Sequence, residues 1–210
     1  MRMDARSAVQ RIVVILLITG GACGGTVLAG SVHVYSGDFD LPIPADTDSS
    51  QGWMADAVIE IPDHFTIDDL DVSITVTHTC VFDLQIFIQS PDGTTLCLNE
   101  YSIYEYFEGE NYTQTVFNDE AELPIEQGQT PFTGEFKPRT PNLLEVFDGQ
   151  DSFGSWRLRI YDVWDADTGT LNHFELIITT PEPTTAVLLI LGIALLRLQN
   201  PRGKPLSPHI

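Results

Sequence analysis

Basic residues are scarce. Ten lysines and arginines stand against 30 aspartates and glutamates, a formal charge of −20, and between Ser31 and Thr180 the basic residues are Lys137, Arg139, Arg157 and Arg159 alone. A field of that sign repels a phosphate backbone and disfavours nucleic acid as a partner; it suits cations, or solubility in salt. Cysteine is scarce too, at Cys23, Cys80 and Cys97. Cys23 falls in a targeting segment, so Cys80 and Cys97 are the one possible pair in the mature module. Simple hairpin pairing sets Cys97 opposite Ile88, several residues from Cys80 at ~3.3 Å each, beyond the about 7 Å between Cα atoms that a bridge spans. No disulfide is expected. Amphipathic helical patterning is also missing between Ser31 and Thr180, while 43% hydrophobic residues supply an ordinary core.

Alternation is abundant. In Asp71 to Thr94, Val72, Ile74 and Val76 alternate with polar residues, His78 falls on the apolar side, and Leu84, Ile86 and Ile88 repeat the pattern before the turn Ser90-Pro91-Asp92-Gly93. Further strands are predicted at Phe39–Ile43, Val58–Ile61, Thr95–Leu98, Gln114–Phe117, near Phe136, at Trp156–Ile160 and through Phe174, Leu176 and Ile178. Cys97 should face away from Leu96 and Leu98. The stretch Ala121 to Asn142 holds Pro124, Pro131, Pro138 and Pro141 with Gly128 and Gly134, and is expected to wrap the core as irregular chain. Short strands with Pro- and Gly-rich joints predict an all-β fold, an antiparallel β-sandwich of the jelly-roll kind over residues 38–180.

The two ends read differently. Arg2, Arg6 and Arg11 precede Ile12-Val13-Val14-Ile15-Leu16-Leu17-Ile18, and small residues follow to Val27-Leu28-Ala29. That order predicts a signal peptide over 1–29, a helix cut after Ala29. At the other end, Pro181-Glu182-Pro183 is followed by an apolar run, Ala186 to Leu196, then Arg197, Arg202 and Lys204. Residues 181–204 resemble the PEP-CTERM sorting signal of bacterial envelope proteins. The resemblance implies a hydrophobic helix in the membrane, a sorting protease of the exosortase type as partner, and export to the envelope or beyond it. With the basic residues on the cytoplasmic side, the acidic module lies outside.

An ordered set of motifs within the module also resembles a known family. Ile61-Pro62-Asp63, Thr75-Val76-Thr77-His78-Thr79, Asp83-Leu84, Ser90-Pro91-Asp92-Gly93-Thr94 and Phe117-Asn118-Asp119-Glu120-Ala121 come first. Pro131-Phe132-Thr133-Gly134, Gly154-Ser155-Trp156-Arg157-Leu158, Tyr161-Asp162 and Asp167-Thr168-Gly169-Thr170-Leu171 follow. They stand in the order in which the P domain, or P/Homo B domain, shows them after the catalytic domain of kexin- and furin-like proteases. The resemblance implies a jelly-roll sandwich that supports a catalytic domain and contributes no catalytic residue.

The chain itself offers no protease chemistry to read. None of His33, His64, His78, His173 and His209 stands in a subtilisin histidine motif, and no Gly-Thr-Ser nucleophile loop occurs. His78, on an apolar face, reads as a core histidine with satisfied ring nitrogens. The candidate site is acidic: Asp162, Asp165 and Asp167 on one loop, joined by Asp83 and Asp119 from neighbouring loops, offer the hard oxygens that calcium takes. The alternative is that Asp162 and Asp165 hydrogen-bond the turn's own amides. The expected function is that of an exported, envelope-associated, non-catalytic module in structure or interaction, with an unknown protein or an envelope polysaccharide as partner. Two rivals stand beside it. One is an accessory to a subtilisin-like protease in trans; the other is a carbohydrate-binding sandwich, for which Tyr101, Tyr104, Tyr106, Phe107 and Tyr112 are the aromatic candidates.

Overall fold

Period-two alternation carries through to the architecture. The computed structural model describes residues 10–15, 30–45, 51–100, 109–164 and 166–181. Its strands are β1 (Gln10–Ile15), β2 (Ser31–Ile43), β3 (Gly52–Trp53), β4 (Ala57–Ile61), β5 (Asp69–His78), β6 (Leu84–Gln89), β7 (Thr95–Asn99), β8 (Tyr112–Phe117), β9 (Phe132–Phe136), β10 (Gly154–Asp162) and β11 (Gly169–Thr180). One sheet has the order β1-β2-β11-β5-β8-β9. The other has the order β3-β10-β6-β7, with β4 also paired to β10. This is an all-β sandwich of two sheets, as the alternation predicts.

The core lies between the sheets. Val72, Ile74 and Val76 of β5 and Phe174, Leu176 and Ile178 of β11 meet Leu84, Ile86 and Ile88 of β6 and Trp156, Leu158 and Ile160 of β10; all twelve are fully buried. Each such side chain contributes roughly 1.5–3 kcal/mol by leaving water. The Trp156 indole N–H donates to the Ser152 carbonyl at 2.9 Å, which satisfies the one polar atom of that ring.

Several details differ from the sequence reading. β2 begins at Ser31, well before Phe39. Its inward positions His33 and Tyr35 are buried although both carry polar atoms, and Gly37 is the next, so an apolar pattern misses them. The Pro-rich stretch contributes β9, which runs parallel to β8 in an otherwise antiparallel pairing scheme. Cys97 pairs with Phe87, because the turn sets Gln89 opposite Thr95, so the expected partner Ile88 faces Leu96. Cys80 and Cys97 are free thiols. Gln10–Ile15 is a strand, where a signal helix was predicted. Its residues pair with Ser31–Ser36 at the open edge of β2, and the β-branched run Ile12-Val13-Val14-Ile15 suits an extended edge. The remainder of 1–29 and the predicted C-terminal hydrophobic helix lie outside the described residues. Among the described residues no helix is long and apolar enough to cross a membrane.

Candidate functional site

The end of the sandwich where β5 stops and β11 starts brings most of the predicted acidic residues together. β11 reaches β5 at the pair Gly169 and His78. A Cβ on Gly169 would collide with the Thr77 carbonyl oxygen and the His78 ring, so only glycine lets the two strands close at this point. The chain after His78 makes a single 3-10 turn, Val81–Asp83, and the Val163 amide donates to the Asp83 carbonyl at 3.0 Å. The loop that follows β10 is thereby held against the loop that follows β5.

His78 and Asp162 form the centre. Both side chains are fully buried, with His78 Nε2 at 3.2 Å from Asp162 Oδ2. Cys80 presents its carbonyl oxygen at 2.8 Å and its amide nitrogen at 3.2 Å to His78 Nδ1. That ring nitrogen therefore has a partner whether or not it carries a proton. The other oxygen of Asp162 accepts from the Trp164 amide at 3.2 Å, the Asx-type use of a turn aspartate. His78 is a core histidine with both nitrogens engaged.

Asp83, Asp167 and Cys80 surround this pair. One ligand atom from each lies within 4.8 Å of the others. Burial pushes the Asp83 carboxyl above the usual range; the Cys80 thiol, donating to it, opposes this, while Asp162 and Asp167 add to the rise. Burial, then Asp83, pushes the Cys80 thiol up to about 11, so it stays protonated at neutral pH and is no nucleophile. Asp167 accepts from the Thr79 hydroxyl at 2.6 Å, and that hydroxyl accepts in turn from the Thr168 amide at 3.2 Å.

Asp119 does not join them. Its two oxygens accept from the amides of Leu144 and Glu145 at 3.0 and 2.9 Å, capping the short turn Leu144–Phe147. It borders a separate acidic group, in which Asp69, Asp71 and Glu120 bring carboxylate oxygens within 4.8 Å of one another. The signal for this group was legible: Asp69 and Asp71 are two apart on one strand and share its outer face, although nothing in the sequence places Glu120 beside them. Asp165, Ala29, Glu182 and Pro183 lie outside the described residues; Pro181 is exposed at their edge.

Of the aromatic candidates, Tyr112 alone falls among the described residues. Tyr112 is buried in the core and its hydroxyl accepts from Asn99 Nδ2 at 2.8 Å. Tyr101, Tyr104, Tyr106 and Phe107 lie outside the described residues. Among the described residues the exposed large aromatics are Trp53, Phe153 and Trp164, and no motif marked Trp53.

Two more histidines pair with carboxylates. His64 Nδ1 lies 2.7 Å from Asp151 with its ring stacked on Phe153, and His173 Nδ1 lies 2.7 Å from Asp38. Both pairs are solvent-exposed. No serine, threonine or cysteine side chain hydrogen-bonds to a ring nitrogen of His64, His78 or His173 among the described residues.

Comparison with known proteins agrees with the sandwich. The family model of the proprotein convertase P-domain matches residues 67–178, more than half of the chain. Among solved structures, the serine protease of Aeromonas sobria in complex with its chaperone (ORF2) is similar at 18% identity and a TM-score of 0.42, over 83% of this chain and 28% of that one. The serine protease of Aeromonas sobria by itself is similar at 17% identity and a TM-score of 0.41, over 85% of this chain and 28% of that one. This chain thus spans under a third of the length of either. No curated protein matches its sequence. The two-sheet sandwich and the match over residues 67–178 identify the chain as a member of the proprotein convertase P-domain family.

Proposed function

We propose that the chain is an exported, envelope-associated P-domain module that acts in structure or interaction, without catalytic chemistry of its own. The observation that carries this reading is the state of its buried histidine. His78 and Asp162 are fully buried, and both ring nitrogens are held by Cys80 and Asp162. A general base must reach a substrate proton directly or through one water, and this ring cannot. Export rests on the basic, apolar and small-residue order of 1–29 and on the PEP-CTERM-like segment 181–204.

Cell fractionation with immunoblotting tests the location. Recovery with the envelope or the medium is expected, and recovery with the soluble cytoplasm overturns it. Peptide and ester hydrolysis by the purified chain tests the other half: no turnover is expected, and turnover that stays with the folded chain through purification would overturn the non-catalytic reading.

Family membership favours a second reading, an accessory that supports a subtilisin-like protease encoded separately. The purified chain should then slow the thermal inactivation of such a protease from the same envelope, in proportion to its occupancy. Calcium belongs to either reading as a proposal confined to Asp83 and Asp167, which share the loop clamp with Cys80. A higher melting midpoint in millimolar calcium that Asp167→Asn removes supports it; an unmoved midpoint leaves the clamp to its hydrogen bonds.

A further inference from the structure

The outer faces of the two sheets differ in chemistry. On the six-stranded sheet, β5 presents Asp69, Asp71, Thr75 and Thr77 outward. On the five-stranded sheet, the outward residues of β10 are Arg157, Arg159 and Tyr161, paired across to Gln89, Phe87 and Gln85 of β6. β3 adds Trp53 beside Tyr161. Two of the four basic residues between Ser31 and Thr180 therefore stand on this one face.

The rings there form one cluster. Trp53 lies 4.9 Å from Tyr161 and 5.9 Å from Phe87, centroid to centroid, and the Arg159 guanidinium stacks over the Trp53 ring at 4.6 Å. Trp53 nonetheless keeps 44% of its surface in water. Asp56 binds both arginines, Arg159 Nε at 3.2 Å and an Arg157 terminal nitrogen at 3.5 Å, so their forks are already oriented. Gln89 is tied to the Thr95 hydroxyl at 3.0 Å. The face thus offers an exposed indole held by its neighbours, bordered by fixed donors and acceptors on strands.

The geometry points to a binding site for an uncharged glycan chain on this face, with Trp53 stacking against the apolar face of a sugar ring and Gln85, Gln89, Arg157 and Arg159 hydrogen-bonding its hydroxyls. This names a ligand for the interaction role proposed above and rests on it. Three observations select the occupant. The rings are partly covered by one another, and an aromatic side chain buries about 150–250 Å² in all, so three part-covered rings offer less than the roughly 450 Å² of apolar area, a little over half of about 800 Å² per partner, in a stable protein interface. Gln85 and Gln89 flank Phe87 on β6, and Arg157 and Arg159 precede Tyr161 on β10, so polar groups border the rings on both strands, as a hydroxyl-rich ligand requires. Asp56 offsets the arginines locally and the chain as a whole carries −20, so a polyanion is repelled and an uncharged chain is not. The preset rings and forks lower the ordering cost on binding.

Affinity electrophoresis of the purified full-length chain, in gels containing hydroxyethylcellulose, laminarin or alginate, tests the proposal. Retardation by at least one of the two neutral glucans is expected, accompanied by a tryptophan emission shift in solution, with weaker retardation by alginate. Trp53→Ala should weaken binding by roughly tenfold or more, as truncating a central aromatic anchor does. Gln85→Ala removes a hydrogen-bonding arm, keeps its Cβ opposite Tyr161, and should weaken binding severalfold at an unchanged melting midpoint. Phe153→Ala, which removes an exposed ring stacked on His64 at the far end of β10, should leave binding unchanged. No retardation by either neutral glucan, stronger retardation by alginate, or retardation indifferent to both Trp53→Ala and Gln85→Ala overturns the assignment. Trp53-dependent capture of a protein without glucan binding would assign the face to a protein and overturn it as well. Any of these failures leaves the fractionation and hydrolysis tests of the proposed function standing.

Discussion

Asp71 holds one carboxyl oxygen buried without a hydrogen-bond partner, in the company of Asp69, Glu120, Glu135 and Asp119. Burial first, and those carboxylates after it, push its pKa from 3.8 up to about 7. Folded protein therefore holds this proton where the unfolded chain has released it, and stability falls as pH rises from 3.8 to about 7. Asp71→Asn should stabilise the protein above that window and flatten the slope within it, which thermal melts across the range will read. Asp69, Asp83 and Asp148 are raised as well, so part of the slope will survive. His78 makes the opposite kind of case. His78→Ala leaves Asp162 buried without its ring partner and opens a cavity, and the loss of a buried pair's partner costs about 3–5 kcal/mol. Chemical denaturation should show a loss of that order; a change below about 1 kcal/mol would mean that water replaces the ring.

At the scale of elements, β2 and β11 form the spine of the six-stranded sheet. They pair from Ser31 with Thr180 to Ile43 with Gly169, and β11 pairs along its other edge with β5. β1 adds itself to the remaining edge of β2 and has no other strand neighbour among the described residues. The pairing of β2 with β11 and of β11 with β5 does not run through β1. A chain starting at Gly30 should fold to the same β-rich state with a cooperative melt and a modestly lower midpoint. Loss of cooperativity would show that β1 is integral. The uncovered edge of β2 predicts a second effect, more self-association in the shortened chain, which light scattering will detect.

The whole molecule is a strongly acidic body, and its like charges oppose compaction. Raising NaCl from roughly 0.01 M to roughly 1 M shortens the screening length from about 30 to about 3 Å. The melting midpoint should climb over that range, and an unmoved midpoint would show that local pairing already neutralises the surface. Two of the four basic residues between Ser31 and Thr180 share one face. Arg157 and Arg159 sit side by side on the aromatic face, clamped by Asp56, while the acidic group around Asp71 lies on the other sheet. The molecule thus presents two different surfaces to any partner, and glycan binding is predicted for the less acidic of them.

Strand content, the inward residues of β5, β6, β10 and β11, the turn at Ser90 to Gly93 and the core placement of His78 were legible in the chain itself, because alternation with period two is a local property and needs no knowledge of neighbours. The motif order sufficed for the family. Long-range placement was not legible. Asp83 and Asp167 meet only because two loops dock through the Asp83 carbonyl and the Val163 amide, and Asp119 is drawn to the amides of Leu144 and Glu145 instead. Trp53, in a strand of two residues, carries no periodic signal at all; register across β3, β10 and β6 sets it beside Tyr161 and Phe87. Local pattern determined which face of each strand is buried, and the pairing of distant strands decided which outward side chains share a surface.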